Sequence, residues 1–149
     1  MKQSTIGVIL ALLAVAGGYQ FNNHATAPVG ADATLSRPSS ESTLLAAIRK
    51  RQSDVQVQGE GVVYKLLADD RDGRRHQRFL LRLDTGHSLL VAHNIDLAER
   101  LRGLKVGDRV SFYGEYEWND KGGVIHWTHH DPRGRHENGW LQHAGKTYQ

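Results

Sequence analysis

Residues 55–67 read VQVQGEGVVYKLL, an alternating run interrupted by Gly59 and Gly61. Alternation with a period of two marks a strand with one buried face. Glycine inside such a run marks a bulge or a sharp coil. The reading is therefore one long first strand that bends near its middle. A bent strand can pair with two different neighbours, and a small barrel needs this in order to close.

The segments downstream supply the other strands. Residues 76–84 (HQRFLLRLD) put Phe79, Leu81 and Leu83 on one face and Arg78, Leu80 and Arg82 on the other. Residues 88–93 (SLLVAH) form a third strand. Residues 109–118 (RVSFYGEYEW) form a fourth, with Val110, Phe112, Tyr116 and Trp118 on one face and Gly114 in the gap. Residues 124–129 (VIHWTH) form a fifth. The connections carry turn residues: Asp72-Gly73, Thr85-Gly86 and the stretch NDKGG at 119–123. Between the third and fourth strands, residues 95–102 (IDLAERLR) have helical spacing, with Asn94 or Asp96 placed to cap them. Three strands, a short helix and two strands is the order of an oligonucleotide/oligosaccharide-binding (OB) barrel. The expected fold is all-β with one or two short helices, an OB-like five-stranded Greek-key barrel. Another small barrel or a half-sandwich is the alternative.

Upstream, residues 41–52 predict an amphipathic helix. Ser40 or Ser42 caps it, Leu44, Leu45 and Ile48 line one side, and Arg49, Lys50 and Arg51 complement the dipole in the last turn. Residues 32–40, rich in Ala, Ser, Thr and Pro, read as a linker. Lys2 followed by the apolar run IGVILALLAVAGG at 6–18 reads as a signal peptide ending at Ala31, too short for a comfortable membrane span. An uncleaved N-terminal anchor is the alternative. The expected organisation is a leader (1–31), a linker (32–40) and a single barrel domain with a His-rich tail (41–149). The mature form is expected to be monomeric, without a membrane span, in the periplasm or secreted. The chain has no cysteine, which excludes disulfides, thiolate metal sites and lipid attachment at a lipobox. Losing the leader removes one of the 19 basic residues, Lys2, and none of the 16 acids, leaving a net charge of +2. That charge is too small to indicate nucleic-acid binding by itself.

Nine histidines occur, five of them at or after His126. The candidate metal set is His126, His129, His130, Asp131 and His136, with His143 in reserve. Imidazole with carboxylate suits a divalent transition metal, zinc first. The competing reading is a hydrogen-bonded platform of these histidines and Trp127 that pins the tail to the barrel. His76, Arg78, Arg82 and His93 are candidate ligand-binding residues, because the first inter-strand loop and strands two and three form the usual OB binding face. Glu115 and Glu117 share the face opposite Tyr116 and read as a wet surface. No Gly-x-Ser-x-Gly, phosphate loop or His-Glu-x-x-His is present, so a serine hydrolase, an NTPase and a standard zinc protease are unsupported.

At HQRF (76–79), HNIDLA (93–98), GEYEWN (114–119), GGVIHWTHHDP (122–132) and the closing HENGWLQHAGKTYQ, the chain resembles a family of small exported bacterial proteins classed as a domain of unknown function. The resemblance spans residues 55–149. It implies an envelope location and a single domain, and it implies no activity, cofactor or catalytic residue. The expected function is an exported OB-like module that binds a ligand (a metal, an oligosaccharide or a nucleic acid) through the His-rich end. A metal-dependent hydrolase such as a nuclease or phosphodiesterase, with Arg78 or Arg82 steadying phosphate charge, is the alternative. A structural envelope protein is the second alternative.

Overall fold

The structure is a computed structural model that describes residues 40–149. The expected leader and linker lie outside the described residues, except for Ser40, which opens the first helix. The elements are α1 (Ser40–Lys50), β1 (Val55–Leu66), β2 (His76–Arg82), β3 (Ser88–Asn94), β4 (Arg109–Glu117), β5 (Val124–His126), β6 (Trp140–His143) and β7 (Lys146–Tyr148). The strands run in the order β1-β2-β3-β5-β4, and β4 pairs back onto β1, which closes a five-stranded barrel. Neighbours are antiparallel except β3 and β5, which are parallel. This is the OB arrangement that the strand order predicts.

Closure rests on β1. Val55 to Val62 pair with Tyr116 to Arg109 of β4, while Val62 to Leu66 pair with Arg82 to Phe79 of β2. The two glycines sit where the strand changes partner. A Cβ on Gly59 would lie 2.8 Å from Phe112 Cζ, and one on Gly61 would lie 2.8 Å from the Arg82 carbonyl oxygen. The strand therefore coils too tightly over its neighbours for a side chain at either position. The register break itself falls later, between Val63 and Lys65.

The alternating positions fill the barrel as expected. Phe79, Leu81, Val110, Phe112 and Tyr116 are fully buried. Leu44 and Ala47 of α1 join them, so the N-terminal helix plugs the barrel, with Ile48 packed against the same core. Burying a side chain of this size contributes roughly 1.5–3 kcal/mol.

Three local expectations are corrected. Residues 95–102 form turns, not a helix. The segment closes a single turn, with Ala98 N–H on the Asn94 carbonyl at 3.1 Å, and tertiary partners hold the chain on either side of it. Ile95 N–H donates to the Arg75 carbonyl at 2.9 Å, and the Gln77 amide brackets Leu101 through both its N–H and its C=O. Asn94 still acts as a cap, its Oδ1 accepting from Asp96 N–H at 3.0 Å. The fifth strand ends at His126 and does not reach 129, because Trp127 adopts φ 50°. That left-handed conformation is unfavourable for a bulky residue and breaks the ladder. The C-terminal segment, read as a tail, is a hairpin instead: β6 pairs with β4 beyond the end of β5 and carries β7 outside it. Leu141 and Tyr148 bring this hairpin into the core.

Candidate functional site

Alternation along β4 turns Val110, Phe112 and Tyr116 inward and leaves Tyr113, Glu115 and Glu117 on the outer face. The turn after β4 sets what lies opposite them. Asn119 Oδ1 accepts from the N–H groups of Lys121 and Gly123. Gly122 and Gly123 supply the positive φ angles of 116° and 99° that the turn needs. The resulting register sets Glu115 against His126 on β5 and against Gln56 on β1. Gln56, Glu115 and His126 thus form one row across three strands, with directly opposed side chains about 5 Å apart at Cβ.

Glu115 is the hub of this row. Its Oε1 lies 3.2 Å from His126 Nε2, and its Oε2 lies 2.7 Å from His136 Nε2. Glu117 Oε1 lies 3.8 Å from the same His126 nitrogen. Glu115, Glu117 and His126 each offer one ligand atom, and the three atoms lie within 4.8 Å of one another. His126 Nε2 is buried and makes no hydrogen bond, since its approach to Glu115 lacks the alignment. Burial pushes the His126 imidazole below its usual range, against the pull of Glu115 and Glu117. The Gln56 carboxamide is also buried with both polar atoms unpaired. It lies near the Tyr113 hydroxyl, which donates to Glu137.

His136 behaves differently. Its Nδ1 faces the Glu137 carbonyl at 2.7 Å while its Nε2 faces Glu115, so both nitrogens meet acceptors and the ring is favoured as imidazolium. Burial works against that charge. The Glu115 hydrogen bond, the Glu137 carbonyl and the Glu115 and Asp131 charges outweigh it and raise the pKa. Trp127 covers the ring in a parallel stack at 4.0 Å. A raised folded pKa makes the contact stabilising at low pH, with the gain lost as pH rises through that pKa. NMR titration should show His136 holding its proton above the usual histidine range, and Glu115→Gln should bring it down. A His136 titration identical in the two proteins would refute the pairing.

The residues predicted for the metal divide. His126 and His136 meet around Glu115, and the other three do not join them. Asp131 Oδ1 and Oδ2 accept from the N–H groups of Arg133, Arg135 and His136 at 3.0, 2.7 and 3.0 Å, so this carboxylate shapes its own loop. Those backbone bonds hold its pKa low. His129 is buried with Nδ1 on the His130 carbonyl at 2.7 Å, and His130 is exposed. His143 pairs with Asp108 at 2.8 Å in the other hairpin. Among the predicted ligand residues, His93 is fully buried. It bonds Thr128 Oγ1 at 2.8 Å and the Glu99 carbonyl at 3.1 Å, a bracket inside the fold. Arg82 lies over the Tyr64 ring at 4.5 Å and reaches toward the Gly86 carbonyl at 3.5 Å. His76 and Arg78 do reach the site: both line a depression of about 290 Å³ with Glu117 and His126.

Glu115 and Glu117 are the partners that the sequence reading passed over. Folding the strand back at NDKGG and counting outward pairs 117 with 124 and 115 with 126. The acids and the histidine could have been brought together on that count.

A second depression of about 170 Å³ adjoins the first and shares His76, Ala92 and His126 with it. Both open on the face of β2 and β3, where OB barrels take their ligands. Barrel, face and polar row define an OB-like barrel with a candidate site on this face. The chain belongs to the family described as Protein of unknown function (DUF3465), whose model matches residues 29–149. No curated protein matches it. Among the described residues, no helix is long and apolar enough to cross a membrane.

Proposed function

We propose that this protein is an exported binding module that holds its ligand on the β2–β3–β5–β4 face through a divalent transition metal, zinc first. The metal is bound by Glu115, Glu117 and His126. One observation carries the reading: the buried, unpaired Nε2 of His126 beside two carboxylate oxygens. A buried polar atom left unpaired costs roughly 1–3 kcal/mol, and a cation among these three atoms would give each a bond. Three protein ligands of nitrogen and oxygen leave coordination positions open, as in sites where the metal also contacts a ligand. His136 fixes the second oxygen of Glu115 and so orients that ligand from behind. Export rests on Lys2 and the apolar run at 6–18.

Elemental analysis and zinc titration of untagged mature protein test the reading. One equivalent of zinc is expected. His126→Ala and Glu115→Ala should each weaken binding by at least a hundredfold, while His130→Ala should leave it unchanged. At a hundredfold excess over Kd, zinc should stabilise the protein by about 2.7 kcal/mol, or roughly 10 °C in Tm for a domain of this size. Absence of uptake, or equal uptake by His126→Ala, would sink the proposal.

A further inference from the structure

The two depressions join into one trough with His126 at its middle. Asp70, Arg78 and Glu117 stand at one end, and Arg74, Asn94, Trp127 and His129 at the other. The first inter-strand loop and its surroundings are rich in guanidinium groups, and most of them are engaged. Arg75 pairs with Asp96 at 2.6 Å, and Arg100 with Asp69 at 2.5 Å. Arg78 donates to the Ala68 carbonyl at 3.1 Å and stands 4.0 Å from Asp70. Arg74 is different. Among the described residues its guanidinium pairs with no carboxylate or carbonyl, yet it lines the trough. Its charge is felt at His129 across that end. The next residue anchors its backbone, since the Arg75 carbonyl accepts from Ile95 N–H at 2.9 Å.

An unpaired guanidinium in the same trough as a metal ligand is an arrangement for an oxyanion. The metal would take one oxygen, and the planar fork of arginine suits two others. We infer that the trough binds a small phosphate-bearing ligand, its phosphate bridging the ion held at Glu115, Glu117 and His126 and the guanidinium of Arg74. This inference rests on the metal reading above. A nucleic-acid strand is disfavoured on two counts. Sequence-tolerant single-strand binding needs free aromatic faces for the bases. Trp127, the aromatic of this trough, is stacked on His136 and packed beside His129. The net charge, +3 for the whole chain and +2 without the expected leader, is also too small to follow a polyanion.

Calorimetric titration of the zinc-loaded protein with inorganic phosphate decides the matter, with acetate and a single-stranded oligonucleotide as parallel arms. One phosphate per protein is expected, bound more tightly than acetate or the oligonucleotide. Arg74→Gln should weaken phosphate binding at least tenfold with its zinc stoichiometry unchanged. Arg133→Gln, an exposed cation outside the trough, should bind phosphate like the parent. Chelation of the zinc should remove phosphate binding. The inference is overturned if Arg74→Gln binds phosphate as tightly as the parent, or if the chelated protein does. It is also overturned if acetate or the oligonucleotide binds more tightly. A protein that takes up no zinc fails at the first step and brings down the metal reading too. Zinc uptake without phosphate binding brings down this inference alone.

Discussion

Acidification from pH 7 to pH 4 should remove about 3 kcal/mol of folding stability through His93. The side chain is fully buried at the end of β3, and burial pushes its pKa down to about 4 against the help of the Glu99 carbonyl. The like charges of His129 and His76 push it the same way as burial, by smaller amounts. Its hydrogen bonds fit the neutral ring, with Nε2–H donating to the Glu99 carbonyl and Nδ1 accepting from the Thr128 hydroxyl. In the unfolded chain the same imidazole titrates near 6.5. Between pH 6.5 and 4 the unfolded state therefore binds the extra proton and the folded state does not. Stability then falls as pH falls, at up to 1.36 kcal/mol per pH unit. The contribution is intact above pH 6.5 and mostly gone by pH 4. Urea denaturation of the parent and of His93→Gln at pH 7, 5.5 and 4.5 isolates it, since other groups titrate in both proteins. The variant should be less stable at neutral pH, and the gap should close as pH falls. A gap that stays constant across the range would show that His93 is not held neutral.

His93 also shows where sequence reading reaches its limit. The strands were legible because each has one face in the barrel, so Phe79, Leu81, Val110, Phe112 and Tyr116 announce themselves by alternation. Residues 95–102 misled because Leu97, Ala98 and Leu101 do have helical spacing. What decided their conformation was Gln77, a residue on a strand 24 positions away from Leu101. The site was half legible for a related reason. His126 and His136 stand out in a histidine-rich segment, but clustering along the chain is not convergence in space. His130 turns out to solvent, and Asp131 is held by its own loop. The partners that matter, Glu115 and Glu117, come from the preceding strand and look like an ordinary wet face until the hairpin is folded. The left-handed Trp127, which ends β5 and swings the loop back over β4, has no local sequence signature.

That loop hangs on one glycine, and Gly139→Ala should cost about 3 kcal/mol or more. Gly139 lies where the returning chain presses between β4 and the end of β5, donating its N–H to the His129 carbonyl at 3.0 Å. A Cβ there would strike the Trp127 carbonyl oxygen, lie 2.5 Å from the Tyr113 carbonyl oxygen and touch Thr128 Cα at 3.0 Å. These are backbone atoms, so no rotamer change relieves the clash and the loop or β6 must move. Overpacking of this kind costs about 1–3 kcal/mol where neighbours can adjust, and more where they cannot. Gly134→Ala is the control in the same loop. Gly134 has φ 61° with nothing near its absent Cβ, so alanine there meets only the left-handed penalty of about 1–2 kcal/mol. The two variants should also differ at the site. Lifting the loop in Gly139→Ala withdraws His136 from Glu115, and the imidazole should return toward its ordinary titration range. In Gly134→Ala, His136 should stay raised. Equal stabilities for the two variants, or a His136 titration unmoved in Gly139→Ala, would show that this glycine does not hold the histidine over the acidic row.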